Sequence, residues 1–184
     1  MLRKIAGVMV VAVGLVSLHA PAASASASAS AEPVAAAVRT LTYNASGAAE
    51  FKAAVDQGAQ VWNSSVVNVR LVSTTSSSAN IRIVADNGWP RAQPTSLGSG
   101  QVWMGRQATA EGHDPVRIAA HELGHILGQP DRKPGPCTSL MSGSSAGTSC
   151  KNPYPNAREK SEVEAAFRSA KVGSAGEWAR VFVD

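Results

Sequence analysis

His121-Glu122-Leu123-Gly124-His125-Ile126-Leu127-Gly128-Gln129-Pro130-Asp131 is the stretch on which the reading of this chain turns. It belongs to a segment opened by Asp114-Pro115, a carboxylate able to accept from orphan helix N–H groups followed by a residue tolerated at the first helical position. Gly128 and Pro130 close the segment, so the spacing predicts a helix from Asp114 to about Leu127. Residues four apart on a helix share a face with Cβ atoms ~5–6 Å apart, so the imidazoles of His121 and His125 can converge on one cation. Glu122 is turned by about 100° from His121, which keeps its carboxylate off the cation yet beside it, where a base for water activation belongs. Roughly 0.004 copies of such a pentad are expected by chance in a chain of this composition. Two histidines sharing a polar helix face by accident is therefore the weaker explanation.

A catalytic zinc takes three protein ligands and leaves one position open. Asp131, six residues after His125, meets the need if the chain reverses at Gly128, and it is the preferred third ligand. Glu159, Glu162 and Glu164, on a later helical segment, are the other carboxylates open to that role. His113 precedes the helix start and lies about two turns from His121, too far to reach readily. Met141, within Ser139-Leu140-Met141-Ser142-Gly143, either fills a core gap or forms a hydrophobic floor beneath the ligands. Tyr154 offers either a second donor for an oxyanion or a packed ring.

Outward from this centre, the 184 residues, 44% hydrophobic and 16% charged, suit one globular domain plus a leader and exclude a disordered or collagen-like chain. Residues 1–4 are cationic, Ile5 to Leu18 are apolar and Ala23-Ser24-Ala25 is an A-x-A cleavage site, so residues 1–25 read as a secretory signal peptide. The apolar run is shorter than the ~20 residues needed to span hydrocarbon. Residues 26–37 carry too little bulky apolar surface to order themselves and read as a short pro-segment, leaving 38–184 as the catalytic domain. The net charge of +4 becomes +3 once Arg3, Lys4 and Glu32 are removed. No basic cluster interleaved with aromatics exists to track a phosphate backbone, so nucleic acid is not an expected partner. Cys137 and Cys150 form an even pair in an exported chain and read as a disulfide, contributing roughly 3 kcal/mol through loop closure.

The remaining pattern is mixed. Arg39 to Tyr43 suggests a strand, Asn44 to Gly47 a turn, and Ala48 to Trp62 a helix with Phe51, Val55, Ala59 and Trp62 on its apolar stripe. Val67 to Val72 and Ala79 to Val84 alternate with period two and read as neighbouring strands. Asn87 to Gly100, with Pro90 and Pro94, reads as loop, and Gln101 to Met104 as a short edge strand able to pair with an extended peptide. Asn156 to Lys171 reads as a terminal amphipathic helix with Val163, Ala166 and Phe167 inward.

The full pattern H-E-x-x-H-x-x-G-x-x-D, followed by the Met141 turn, is similar to that of metzincins, with Gly128 and Asp131 where they carry glycine and the third ligand. HELGHILGQPD, GPCTSLMSG and SCKNPYPNA together resemble the snapalysin family of small secreted bacterial neutral proteases. The resemblance spans roughly Val38 to Lys171 and is dense from Arg117 to Glu159. It implies an α+β, zincin-like fold: a small twisted, mainly parallel sheet with an edge strand, packed on two long helices, plus a C-terminal helix. It further implies zinc on His121, His125 and Asp131, Glu122 as general base, a Cys137–Cys150 bridge and a preference for aromatic residues just after the scissile bond. A structural calcium at Asp114 and the Val116 carbonyl is implied as well. At Arg132-Lys133 an aromatic would be expected and is absent, and Val172 to Asp184, with Trp178 and Phe182, extends past the resemblance as a covering strand or a frayed end. The expected protein is thus a secreted, monomeric zinc endopeptidase acting on proteins or peptides, with no membrane association after signal removal. A zinc hydrolase of a non-protein amide and a non-catalytic, zinc-braced binding module are the alternatives.

Overall fold

The computed structural model describes residues 37–168 and 180–184. The expected signal peptide, all but the last residue of the expected pro-segment, residues 169–171 of the expected terminal helix and Trp178 lie outside the described residues. The elements run β1 (Arg39–Gly47), a 3₁₀ turn at Ala49–Phe51, α1 (Lys52–Ser65), β2 (Val69–Ser73), β3 (Ile81–Asp86), β4 (Arg91–Ser96) and β5 (Ser99–Gly105). Then follow α2 (Arg106–Ala110), α3 (Pro115–Ile126), a 3₁₀ segment at Leu140–Ala146, α4 (Ala157–Arg168) and β6 (Phe182–Val183).

These elements make a mixed α+β domain with one six-stranded sheet in the order β2-β1-β3-β5-β4-β6. The pairs β1–β2, β1–β3 and β3–β5 are parallel, whereas β4 runs antiparallel to both β5 and β6. Period-two alternation aims Leu41 and Tyr43 of β1, Ile81 and Ile83 of β3, and Val102 and Met104 of β5 into one core. Helix α1 lays Val55, Ala59 and Trp62 into the same core, as their spacing predicts.

Four local expectations are corrected. β2 and β3 are not neighbours; both flank β1. β2 pairs with β1 as far as Tyr43 opposite Ser73, and β3 starts at Tyr43 opposite Ile81, so a short link crosses β1 without running back along the sheet. The expected turn at Asn44 to Gly47 is absorbed into β1, which continues there to pair with β3 through a register shift.

Asn87 to Gly100 is not a loop but contributes β4 and the start of β5. Pro94 is tolerated because β6 pairs only with Arg91 and Ala92, and the β4–β5 register shifts between Pro94 and Ser96. Its partner Gly100 must be small, since a Cβ there would stand 2.4 Å from the Gln93 carbonyl oxygen. Val102 therefore lies on an interior strand; β4 lies beyond β5, with β6 on its outer side at Arg91 and Ala92.

Helix α3 is buried from Arg117 to Ile126 and lies against α1. The two helices meet where Gly58 faces Ala119 and Ala120, and Trp62 Nε1 donates to the Ala120 carbonyl at 2.7 Å. A Cβ at position 58 would stand 2.8 Å from the Ala120 backbone nitrogen, which cannot move without carrying α3 with it. Gly58→Ala gains up to ~1 kcal/mol of helix propensity but forces an overpacking cost of about 1–3 kcal/mol. The clash is against backbone, so the expected outcome is a net loss of about 1–2 kcal/mol, read as a lower melting temperature. Cys137 and Cys150 are bonded, with Cα atoms 5.5 Å apart. Among the described residues, no helix is long and apolar enough to cross a membrane.

Candidate metal centre

Both ends of α3 are built as its sequence dictates. Asp114 Oδ1 accepts from Arg117 N at 2.9 Å, the capping bond of a helix that has Pro115 in its first turn. At the other end Gly128 takes φ 95°, a left-handed conformation that reverses the chain. That reversal brings the Gln129 carbonyl to 2.8 Å from His125 Nδ1 and Asp131 Oδ1 to 3.4 and 3.6 Å from the Nε2 atoms of His121 and His125.

The other imidazole is oriented from below: His121 Nδ1 lies 3.0 Å from the Leu140 carbonyl oxygen. Carbonyls only accept, so both Nδ1 atoms are the protonated ones and both Nε2 atoms carry lone pairs in the neutral rings. Those two lone pairs face each other across 3.1 Å. Asp131 Oδ1, buried and without a hydrogen-bond partner, turns towards the same point. Three electron-pair donors thus converge within 4.8 Å of one another, an N, N, O set of a kind that zinc accepts.

Burial opposes a charged His121 ring, yet the adjacent Asp131 carboxylate and the charges of Asp184 and Glu122 outweigh it and raise the pKa to about 9. Burial and the neighbouring His121 charge push His125 down to about 3. The pair thus holds one proton. Glu122 is fully buried with neither oxygen hydrogen-bonded, and burial, followed in size by the lowering effect of His121 and the raising effects of Asp184 and Asp131, leaves it up at about 8. A carboxyl with a pKa near neutrality and no structural bond to keep is suited to moving protons.

Met141 is fully buried beneath the helix, and a Cβ on Gly124 would stand 2.7 Å from its sulfur, so the glycine between the two histidines seats the methionine as a floor. The three competing glutamates are committed elsewhere. Glu159 accepts from Ser139 Oγ and from the backbone of Leu140, Met141 and Asn156. Glu162 pairs with Arg132 and Arg158, and Glu164 accepts from the Val67 and Asn68 amides. His113 stacks edge-on against Trp89 at 6.1 Å. Tyr154 is exposed and lines a hollow with Gln57, Gln60 and Val116 that contains none of the histidine site's residues. Among the described residues, the two groups of three side chains able to hold a metal, His121/His125/Asp131 and His121/Glu122/Asp184, both leave out Asp114, whose side chain caps the helix.

Four residues near the centre were not singled out from sequence as parts of it. The guanidinium of Arg117, buried in the helix, binds the carbonyls of Asn152 and Ser139 and with Glu159 fixes the loop that presents Leu140. Lys133 lies 3.4 Å from Asp131 and 3.0 Å from Asp184. Asp184 Oδ1 stands 3.7 Å from His121 Nε2, and the Phe182 ring stacks on His125 with centroids 4.2 Å apart. Glu159, weighed from sequence as a ligand, holds this loop with Arg117, a role that did have a signal: Asn156-x-x-Glu159 is a capping box, and its bond from Glu159 N to Asn156 Oδ1 is 3.0 Å. Nothing in the spacing of Asp184 or Phe182 announces contact with a helix some sixty residues earlier.

Fold and site together define a small mixed α+β protein with a possible His/His/Asp metal site and a buried, unpaired carboxyl beside it. Residues 37–169 match the Streptomyces extracellular neutral proteinase (M7) family, and the chain belongs to that family. It is 43% identical over 133 residues to the extracellular small neutral protease of Streptomyces lividans, covering 71% of this chain and 58% of that protein. The protein of the same name from Streptomyces caespitosus is 42% identical over 126 residues, or 68% of this chain and 95% of the relative. That of Streptomyces sp. (strain C5) is 42% identical over 132 residues, 57% of its length. The chain thus spans little more than half of two of these three relatives.

Proposed function

We propose that this chain is a secreted, zinc-dependent endopeptidase of zincin-like build, exported by residues 1–25, carrying a pro-segment at 26–37 and a catalytic domain at 38–184. The observation that carries the reading is the meeting of three electron-pair donors, from His121, His125 and Asp131, beside the unpartnered carboxyl of Glu122. Zinc bound there would supply Lewis-acid polarisation of a peptide carbonyl and of the attacking water. Gln129 and Leu140 hold the two rings in the tautomer that ligates, and Asp131 completes the donor set. Glu122, whose ionised form the added positive charge of a bound cation would favour, takes a proton from the water at its carboxylate and returns it to the departing amine. An extended substrate would pair with β4, and the apolar face of His125, on which Phe182 stacks, supports the aromatic preference just after the cut bond.

A second reading, a zinc-braced module without catalysis, is favoured by Asp184, whose carboxylate stands 3.7 Å from His121 Nε2 and with His121 and Glu122 makes a second group able to hold a metal. Hydrolysis separates the two. Purified secreted protein is expected to hold about one zinc per chain and to digest casein in a way abolished by chelator and restored by zinc. Bound zinc with no digestion would favour the braced module; no zinc at all would overturn both. Loading is also expected to release protons, because the cation replaces the one that His121 holds up to about pH 9. Calorimetry in buffers of different ionisation enthalpy reads this as at least one proton per zinc at pH 7, with affinity falling as the solution is acidified.

A further inference from the structure

The segment Phe182–Asp184 lies where the proposed substrate would lie. It adds β6 antiparallel to β4, pairing Phe182 with Ala92 and Val183 with Arg91, and Asp184 N donates to the Pro90 carbonyl at 3.1 Å. Phe182 covers the His125 ring almost in parallel, with 12° between planes. Asp184 is buried, its side chain 5% exposed, and Oδ1 accepts from Ser144 N at 2.9 Å and from Lys133 Nζ at 3.0 Å. Lys133 also donates to the Val183 carbonyl at 3.2 Å. The seat is closely fitted: a Cβ on Gly143 would stand 2.0 Å from Asp184 Oδ1. The cavity left beside His121, walled by Gly143 and Asp184, is about 10 Å³, the least that holds one water.

We propose that Phe182–Asp184 is an intramolecular occluder, a strand of this chain that occupies the peptide-binding edge of β4 and covers the histidine pair, so that substrate must displace it. The inference rests on the endopeptidase reading for what is displaced, and on the packing alone for the occlusion. Three kinds of contact hold the strand: the β ladder, the ring stack and the ion pair with Lys133. The ladder is the part an extended peptide reproduces, whereas the stack and the ion pair belong to these particular side chains. Binding at such a site is weakened by the fraction of molecules in which the strand is seated.

The test compares the parent chain with the double variant Phe182→Ala/Asp184→Ala and with Asp184→Lys, which reverses the charge facing Lys133 and keeps the ladder. Both are expected to lower KM for an extended peptide substrate at least tenfold with kcat little changed. In the Glu122→Ala background, a fluorescent peptide of the same sequence should bind at least tenfold more tightly to the variants by anisotropy. Acetylated Arg-Val-Phe-Val-Asp added in trans should inhibit the double variant competitively. Equal KM and equal peptide affinity in parent and variants would overturn the occluder. So would a loss of zinc affinity in both Asp184 variants by chelator competition, which would make Asp184 a ligand. If no form hydrolyses peptide yet the variants still bind it more tightly, the endopeptidase reading fails and the occluder stands.

Discussion

With alanine at position 122 the protein is expected to keep about one zinc per chain while kcat/KM on casein falls about 10³-fold. The carboxyl of Glu122 is hydrogen-bonded to nothing among the described residues, so its removal breaks no bond that positions His121, His125 or Asp131. What is lost is the group that carries the proton, a contribution of about 10²–10⁴-fold where general acid–base transfer is removed. Stability should respond in the opposite sense. The folded pKa of about 8 lies above the ordinary value of 4.5, so metal-free protein loses stability as pH rises between those values, because the unfolded chain gives up its proton first. Glu122→Ala removes that share of the slope, and melting temperatures of the two metal-free proteins should diverge between pH 5 and pH 8. Zinc lost together with activity would make Glu122 a ligand, and unchanged hydrolysis would assign the proton transfer to another group.

The largest loss of stability is expected from Glu159→Ala. Glu159 is fully buried and accepts from Ser139 Oγ at 2.6 Å, Leu140 N at 3.1 Å, Met141 N at 3.0 Å and Asn156 N at 2.7 Å. Each donor left without a partner costs about 1–3 kcal/mol, with incomplete additivity, so a total of about 3–5 kcal/mol is expected. Against a typical stability of about 5–15 kcal/mol this leaves a marginal fold. Urea denaturation should show a lower midpoint with an unchanged slope. The Leu140 carbonyl that orients His121 belongs to the same loop, so zinc affinity should fall as well. Glu159→Gln, which keeps an acceptor and the shape, should lose less of both.

What the sequence disclosed and what it hid divide along a physical line. The capped helix, the shared face of His121 and His125 and the reversal at Gly128 that delivers Asp131 are all local, fixed by residues within one helix and its turn. The amphipathic stripe of α1 and the alternation of β2 and β3 were legible for the same reason. Pairing order was not, because nothing in β2 or β3 states that β1 lies between them. Pro94 and Gly100 read as loop punctuation, while their tolerance depends on the short β6 and on the close approach of Gln93. Lys133 followed Asp131 in plain view, but its role needs Asp184, which only the folded chain brings near.

The bond between Cys137 and Cys150 encloses Leu140, whose carbonyl fixes the His121 ring. Such bonds persist outside the cell and are reduced in the cytosol. On the proposed function, ion capture would thereby be coupled to the redox state of the surroundings: a reduced copy would present a less firmly oriented imidazole, and its grip on metal would tighten once the bond had formed.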